Sequence, residues 1–253
     1  MDILGLISKY QKSIIIFNVL FLVFVAFIVF FDKALAVGLL LLAFLVLLTV
    51  LITFRIGIKE KEFYLLFLVV ILIHLAAVLF IYYYNFYPFG GGEGDQFYYN
   101  KIAVDLSQRF SRGDFSIQGF DQYYPYYYVP HSYPVVIGVL YALTLPKIII
   151  GQLLNVWIAA LSILFLYLIA VEIRASSQKA FFIGLIAGIY PSYLYFGSLL
   201  IRDSIVVLFS LCSLFLIIKL IKKFSWRNLL IFFLVLGLLM HFRFYIGFVM
   251  FFT

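Results

Sequence analysis

Long apolar runs recur along this chain, at 13–31, 34–54, 63–84, 150–171, 180–198, 203–221 and 228–240, and another begins near 244. Hydrocarbon offers a backbone no hydrogen-bond partner, so a run of this kind must satisfy its own peptide groups as a helix. About 20 such residues cover the roughly 30 Å of a bilayer core. The runs therefore predict an all-α, polytopic transmembrane helix bundle of seven to eight spans. The composition agrees: 66% of the 253 residues are hydrophobic and 11% charged, with a mean hydropathy of +1.17. Soluble domains run to about half apolar and a quarter charged. The first run follows Lys9 and Lys12 and exceeds the apolar core of a cleaved signal, so it reads as an uncleaved span. The single cysteine, Cys212, sits in an apolar run, which excludes an intramolecular disulfide and a cysteine metal cluster.

The net charge of +7 belongs to topology rather than to a nucleic-acid partner. The stretch 134–146 is apolar but short, and prolines bound it at both ends. If it does not cross, one face of the membrane collects eleven bases and four acids, and the other seven of each. If it does cross, the Lys219–Arg227 cluster changes sides and the asymmetry collapses. Basic loops stay cytoplasmic, so the chain is expected in the cell membrane with a cytoplasmic N-terminus. Residues 85–149 then form one long extracytoplasmic loop, with 134–146 as an interfacial helix.

That side gathers ionisable residues from three distant stretches. They are Asp95 and His131 in the long loop, Arg202 and Asp203 at a span end, and His241 and Arg243 near a later one. Ionisable groups at a membrane boundary are costly unless they face protein or water, which makes them candidates for function. Asp95 follows the run Gly90–Gly94 and has two readings. It is the N-cap of an amphipathic helix beginning at Gln96, with Ile102, Ala103, Leu106 and Phe110 on its apolar face. Alternatively it is a ligand-facing carboxylate that the glycines let a substrate approach. Glu93 is close enough in sequence to share a divalent cation with it. The tyrosines of 123–130 suit either an aromatic belt or a sugar-stacking surface. His74, in mid-span, reads as a buried interhelical hydrogen bonder. Arg243 interrupts an apolar stretch, and a partly desolvated guanidinium suits a bidentate oxyanion such as a lipid phosphate.

The order of these elements resembles a known family. An acid precedes Gln96-x-Tyr98-Tyr99-x-x-x-Ala103, and Tyr133–Pro134 leads into the short apolar helix. Then come the span opening "GQLLNVW", the segment "GIYPSYLYFGSLLIRDSIVVLF" and Arg243–Phe244 at a helix break. This pattern, over about residues 63–253, is similar to the C-type (GT-C) membrane glycosyltransferases, in particular the protein O-mannosyltransferase and aminoarabinose-transferase group. Residues 1–62 are then two extra N-terminal spans.

The resemblance implies transfer of a sugar from a polyprenyl-phosphate donor to a hydroxyl of a protein, lipid or glycan acceptor at the outer face of the cell envelope, with inversion. It implies Asp95 as the catalytic base, with Arg243 and Asp203 near the donor. Arg202, His131, His241, Tyr99 and Tyr133 fall among the substrate-binding residues. Members of the family are usually longer, so the resemblance also implies a fragment or an unusually short member. The other readings are an O-antigen polymerase or ligase, a transporter, and a polytopic protein without chemistry.

Overall fold

In the computed structural model, residues 19–20, 22–88, 94–115 and 132–252 are described. Among them there is no strand. The helices are α1 (Lys33–Ile56), α2 (Lys61–Tyr84), α3 (Asp95–Ser111), α4 (Ser132–Leu143), α5 (Ile148–Glu172), α6 (Ser177–Ile189), α7 (Pro191–Gly197), α8 (Asp203–Lys222), α9 (Trp226–Phe242) and α10 (Phe244–Phe251).

Local chemistry sets most of these boundaries. Asp32 Oδ1 accepts from Leu35 N at 2.9 Å and caps α1. Gly57 (φ +100°) and Asn85 (φ +49°) end α1 and α2 in the left-handed region. Pro191 opens α7 and forces Tyr190 into an extended conformation (ψ 125°), because the residue before proline avoids the helical region. The expected span 180–198 is therefore not one rod but two helices bent by 67°.

Among the described residues, four helices are long and apolar enough to cross a membrane: α1, α2, α5 and α8. A fifth is added if the bent α6–α7 pair counts as one span. Expected spans 34–54, 63–84, 150–171 and 203–221 fall within these four. The expected span 228–240 is α9, 17 residues long, and the segment near 244 is the 8-residue α10, which doubles back on α9. A Cβ at Gly247 would stand 2.8 Å from Met240 N, so only glycine lets the two helices meet there. Of the expected span 13–31, residues 19–20 and 22–29 are helical, and 13–18 and 21 lie outside the described residues.

The hydrogen bonds fix which helix ends lie together. Tyr83 at the end of α2 donates to Asp32 Oδ2 at 3.1 Å. Asn155, early in α5, binds the turn before α8. At the opposite end, Lys222 bonds Glu172, and the Phe63 and Tyr167 rings meet edge to face. So α2 ends and α5 begins at one end of the bundle, and of the described helices between them neither α3 nor α4 is long and apolar enough to cross a membrane. The spans' cores interlock through small residues: Leu153 fills the space over Gly38, Leu200 that over Gly151 and Leu66 that over Gly184.

His74 is buried in α2, with Nε2 3.2 Å from Gly188 O and its ring edge-on to Tyr193. It joins α2 to the bent pair, the interhelical role its mid-span position predicts.

Candidate functional site at one end of the bundle

The end of the bundle shared by the α2 C-terminus and the α8 N-terminus holds a cavity of about 170 Å³. Its walls are drawn from four places in the sequence: Tyr87 after α2, Gly94–Phe97 at the start of α3, Tyr195–Phe196 in α7, and Leu199, Ile201 and Asp203. Two carboxylates, Asp95 and Asp203, thus line one space although 107 residues separate them in the sequence.

Asp95 is exposed and is the first residue of α3. Gly94 takes the N-cap position, and no side chain caps the helix. The N-cap reading of Asp95 is thereby replaced, and the helix starts one residue earlier than the sequence predicts. With no ion pair or hydrogen bond to another described residue, the carboxylate is open toward the cavity, where the positive end of α3 favours a negative charge. The predicted apolar face is seen: Ile102, Ala103 and Leu106 are buried, while Phe110 is half-buried against Phe115. The helix packs on α4 closely enough that a Cβ at Gly138 would lie 2.7 Å from Leu106 Cβ.

Asp203, the first residue of α8, is not free. Arg243 Nη2 stands 2.7 Å from its Oδ1. Arg243 occupies the non-helical junction between α9 and α10 (φ −148°, ψ 94°), and its Nη1 donates to Tyr245 OH. Its Nε is shut from solvent with no partner among the described residues. The Nε–Nη2 edge of this guanidinium, the edge that grips two oxygens at once, is therefore only half used. Sequence analysis placed Asp95, Asp203 and Arg243 at one depth; the folded chain puts the two acids on one cavity and the arginine on one of the acids.

Other predicted residues fall elsewhere. Tyr99 and Tyr133 do not face the cavity. Each is 1% exposed, and their rings meet edge to face at 5.5 Å. Burial holds the Tyr133 phenol well above its ordinary range, so it stays a neutral donor. It donates to Asn155 Oδ1 at 2.9 Å. Asn155 Nδ2 in turn donates to Leu199 O (2.6 Å) and Ile201 O (2.8 Å). This buried chain ties α3 and α4 to α5, and α5 to the turn that delivers Asp203. The two tyrosines are supports of the site, not surfaces for a substrate. Arg202 precedes α8, half-buried, and His241 is exposed on the last turn of α9; neither lines the cavity. His131, Glu93 and the tyrosines of 123–130 lie outside the described residues. Among the described residues, no three His, Cys, Asp or Glu side chains group to hold a metal ion.

Comparison with protein-family models, curated proteins and solved structures finds no match.

Sequence reasoning missed Asn155 and the aromatic wall. Asn155 had a signal: a fully buried amide in an otherwise apolar span is expensive unless its hydrogen bonds are all made. Tyr87, Phe97, Tyr195 and Phe196 had none, since aromatic residues crowd this sequence throughout. Burial pushes the Tyr87 phenol above its ordinary value, partly offset by a hydrogen bond with the Gln96 side chain.

Proposed function

We propose that this chain is a membrane glycosyltransferase that moves a sugar from a polyprenyl-phosphate donor to an acceptor hydroxyl, with inversion. One observation supports the reading: a carboxylate without an ion pair among the described residues and an arginine-held carboxylate share a small cavity at one end of a helix bundle. Asp95 is the general base. It takes the acceptor's proton as the hydroxyl oxygen attacks the anomeric carbon, and the bond from that carbon to the phosphate oxygen breaks. Arg243 offsets the charge left on the departing phosphate. The aromatic wall of Tyr87, Phe97, Tyr195 and Phe196 offers apolar faces to a sugar ring.

In the same reading the bundle has seven to eight spans, residues 1–62 supply two that precede the GT-C-like portion 63–253, and the cavity opens to the outside of the cell. The test of sidedness is cysteine accessibility. In a Cys212→Ser background, Arg112→Cys is expected to react with an impermeant maleimide added to intact cells. Labelling only after lysis would reverse the orientation.

The chemistry is tested with purified protein in nanodiscs and polyprenyl-phosphate-linked sugar. Arg243→Ala is expected to raise the apparent KM for the lipid donor by about 10–100-fold, corresponding to loss of a hydrogen bond to a charged group worth about 1.5–3 kcal/mol. An unchanged donor KM would remove Arg243 from the phosphate.

A further inference from the structure

The end of the bundle opposite the cavity has a different chemistry. Its described residues include nine bases (Arg55, Lys59, Lys61, Arg174, Lys179, Lys219, Lys222, Lys223, Arg227) against Glu60, Glu62 and Glu172. Most of this excess is diffuse, but one place concentrates it. The turn between α8 and α9 reads Lys222-Lys223-Phe224-Ser225-Trp226-Arg227.

Two of the cations near it are already occupied. Lys222 Nζ bonds both the backbone oxygen and the carboxylate of Glu172. Lys219 lies over the Phe215 ring, 4.7 Å from its centroid. Lys223 and Arg227 are exposed and, among the described residues, hold no ion pair. Between them stand Phe224, 59% exposed, and Trp226, 72% exposed, with rings edge to face at 5.2 Å. Ile221, one turn back, is 79% exposed.

In water this combination would be an exposed apolar knob. At the level of lipid headgroups it is a seat. Aromatic rings with a polar edge settle at that depth, and α8, long and apolar enough to cross, ends there. A cation on each side of the rings, neither in an ion pair among the described residues, complements an anionic headgroup: Arg227 can grip two phosphate oxygens and Lys223 adds a point charge. We propose that the α8–α9 turn is a binding site for anionic phospholipid, with Phe224 and Trp226 seated against the headgroup-proximal part of the acyl chains and Lys223 and Arg227 on the headgroup. A soluble anion would engage the cations but leave the rings uncovered, which favours a lipid as occupant. The inference is independent of the sugar-transfer reading.

The chain has two tryptophans, Trp157 and Trp226, so Trp157→Phe leaves Trp226 as sole fluorophore. The full chain is reconstituted in phosphatidylcholine vesicles carrying a minor fraction of brominated phosphatidylglycerol, or the same fraction of brominated phosphatidylcholine. Quenching of Trp226 is expected to be at least about twofold greater with the brominated anionic lipid, because two uncancelled cations enrich it locally. In Lys223→Gln/Arg227→Gln the two lipids are expected to quench alike, with an unchanged emission maximum showing that the ring stays at the same depth. Equal quenching by both lipids in the parent overturns the proposal, as does an excess that survives the double substitution. Loss of the excess on adding inorganic phosphate at constant ionic strength assigns the seat to a soluble anion and also overturns it.

Discussion

Asp95→Asn is expected to lower sugar transfer by about 10²–10⁴-fold, the range a positioned general base contributes, without changing insertion or yield. The substitution keeps the shape of the side chain but exchanges a basic carboxylate for a neutral amide, which cannot take the acceptor's proton. The choice of Asp95 over Asp203 follows from their partners. Asp203 is committed to Arg243 at 2.7 Å, whereas Asp95 faces the same cavity with no partner among the described residues. Asp203→Asn is accordingly expected to act through the arginine it holds, shifting donor KM more than turnover. The decisive measurement is single-turnover transfer with saturating lipid donor. Wild-type turnover in Asp95→Asn would end the base assignment. A loss confined to Asp203→Asn would move the base to that residue.

The second large effect concerns stability. Asn155→Ala removes three hydrogen bonds at once and leaves Tyr133 OH and Ile201 O buried without that partner, while Leu199 O keeps the Ile201 N–H. An unsatisfied buried polar group costs about 1–3 kcal/mol, while interhelical hydrogen bonds in membranes average about 0.6 kcal/mol. The loss should therefore be roughly 2–6 kcal/mol. At about 2–4 °C per kcal/mol for a chain of this size, thermal unfolding in detergent is expected about 4–24 °C lower. Tyr133→Phe removes one of the three bonds and should show about a third of that shift. If Asn155→Ala melts with the wild type, the buried chain of Tyr99, Tyr133 and Asn155 does not hold the Asp203 turn in place.

The residues show where reading the sequence succeeded and where it stopped. Spans 34–54, 63–84, 150–171 and 203–221 were legible because each rests on a sum over about twenty neighbours, which a single polar residue does not upset. The amphipathic face of α3 was legible for a similar reason: three of its predicted positions, Ile102, Ala103 and Leu106, are buried. The bend at Tyr190 was written in Pro191, but an unbroken apolar run hid it. Tyr99 and Tyr133 sit in motifs that suggested substrate contact, and only packing revealed them as buried supports.

By itself, then, the sequence determined the solvent this protein folds in, the helical character of its spans, and the gathering of Asp95, Asp203 and Arg243 at one end. Hydropathy and charge are read along the chain and need no knowledge of which residues meet in space. Tertiary structure decided that Arg243 closes on Asp203, that Asp95 lines the same cavity, and that Asn155 joins three elements. Those outcomes depend on how far each helix is rotated about its own axis. That rotation is set where Leu153, Leu200 and Leu66 fill the spaces over Gly38, Gly151 and Gly184, contacts between residues far apart in the chain.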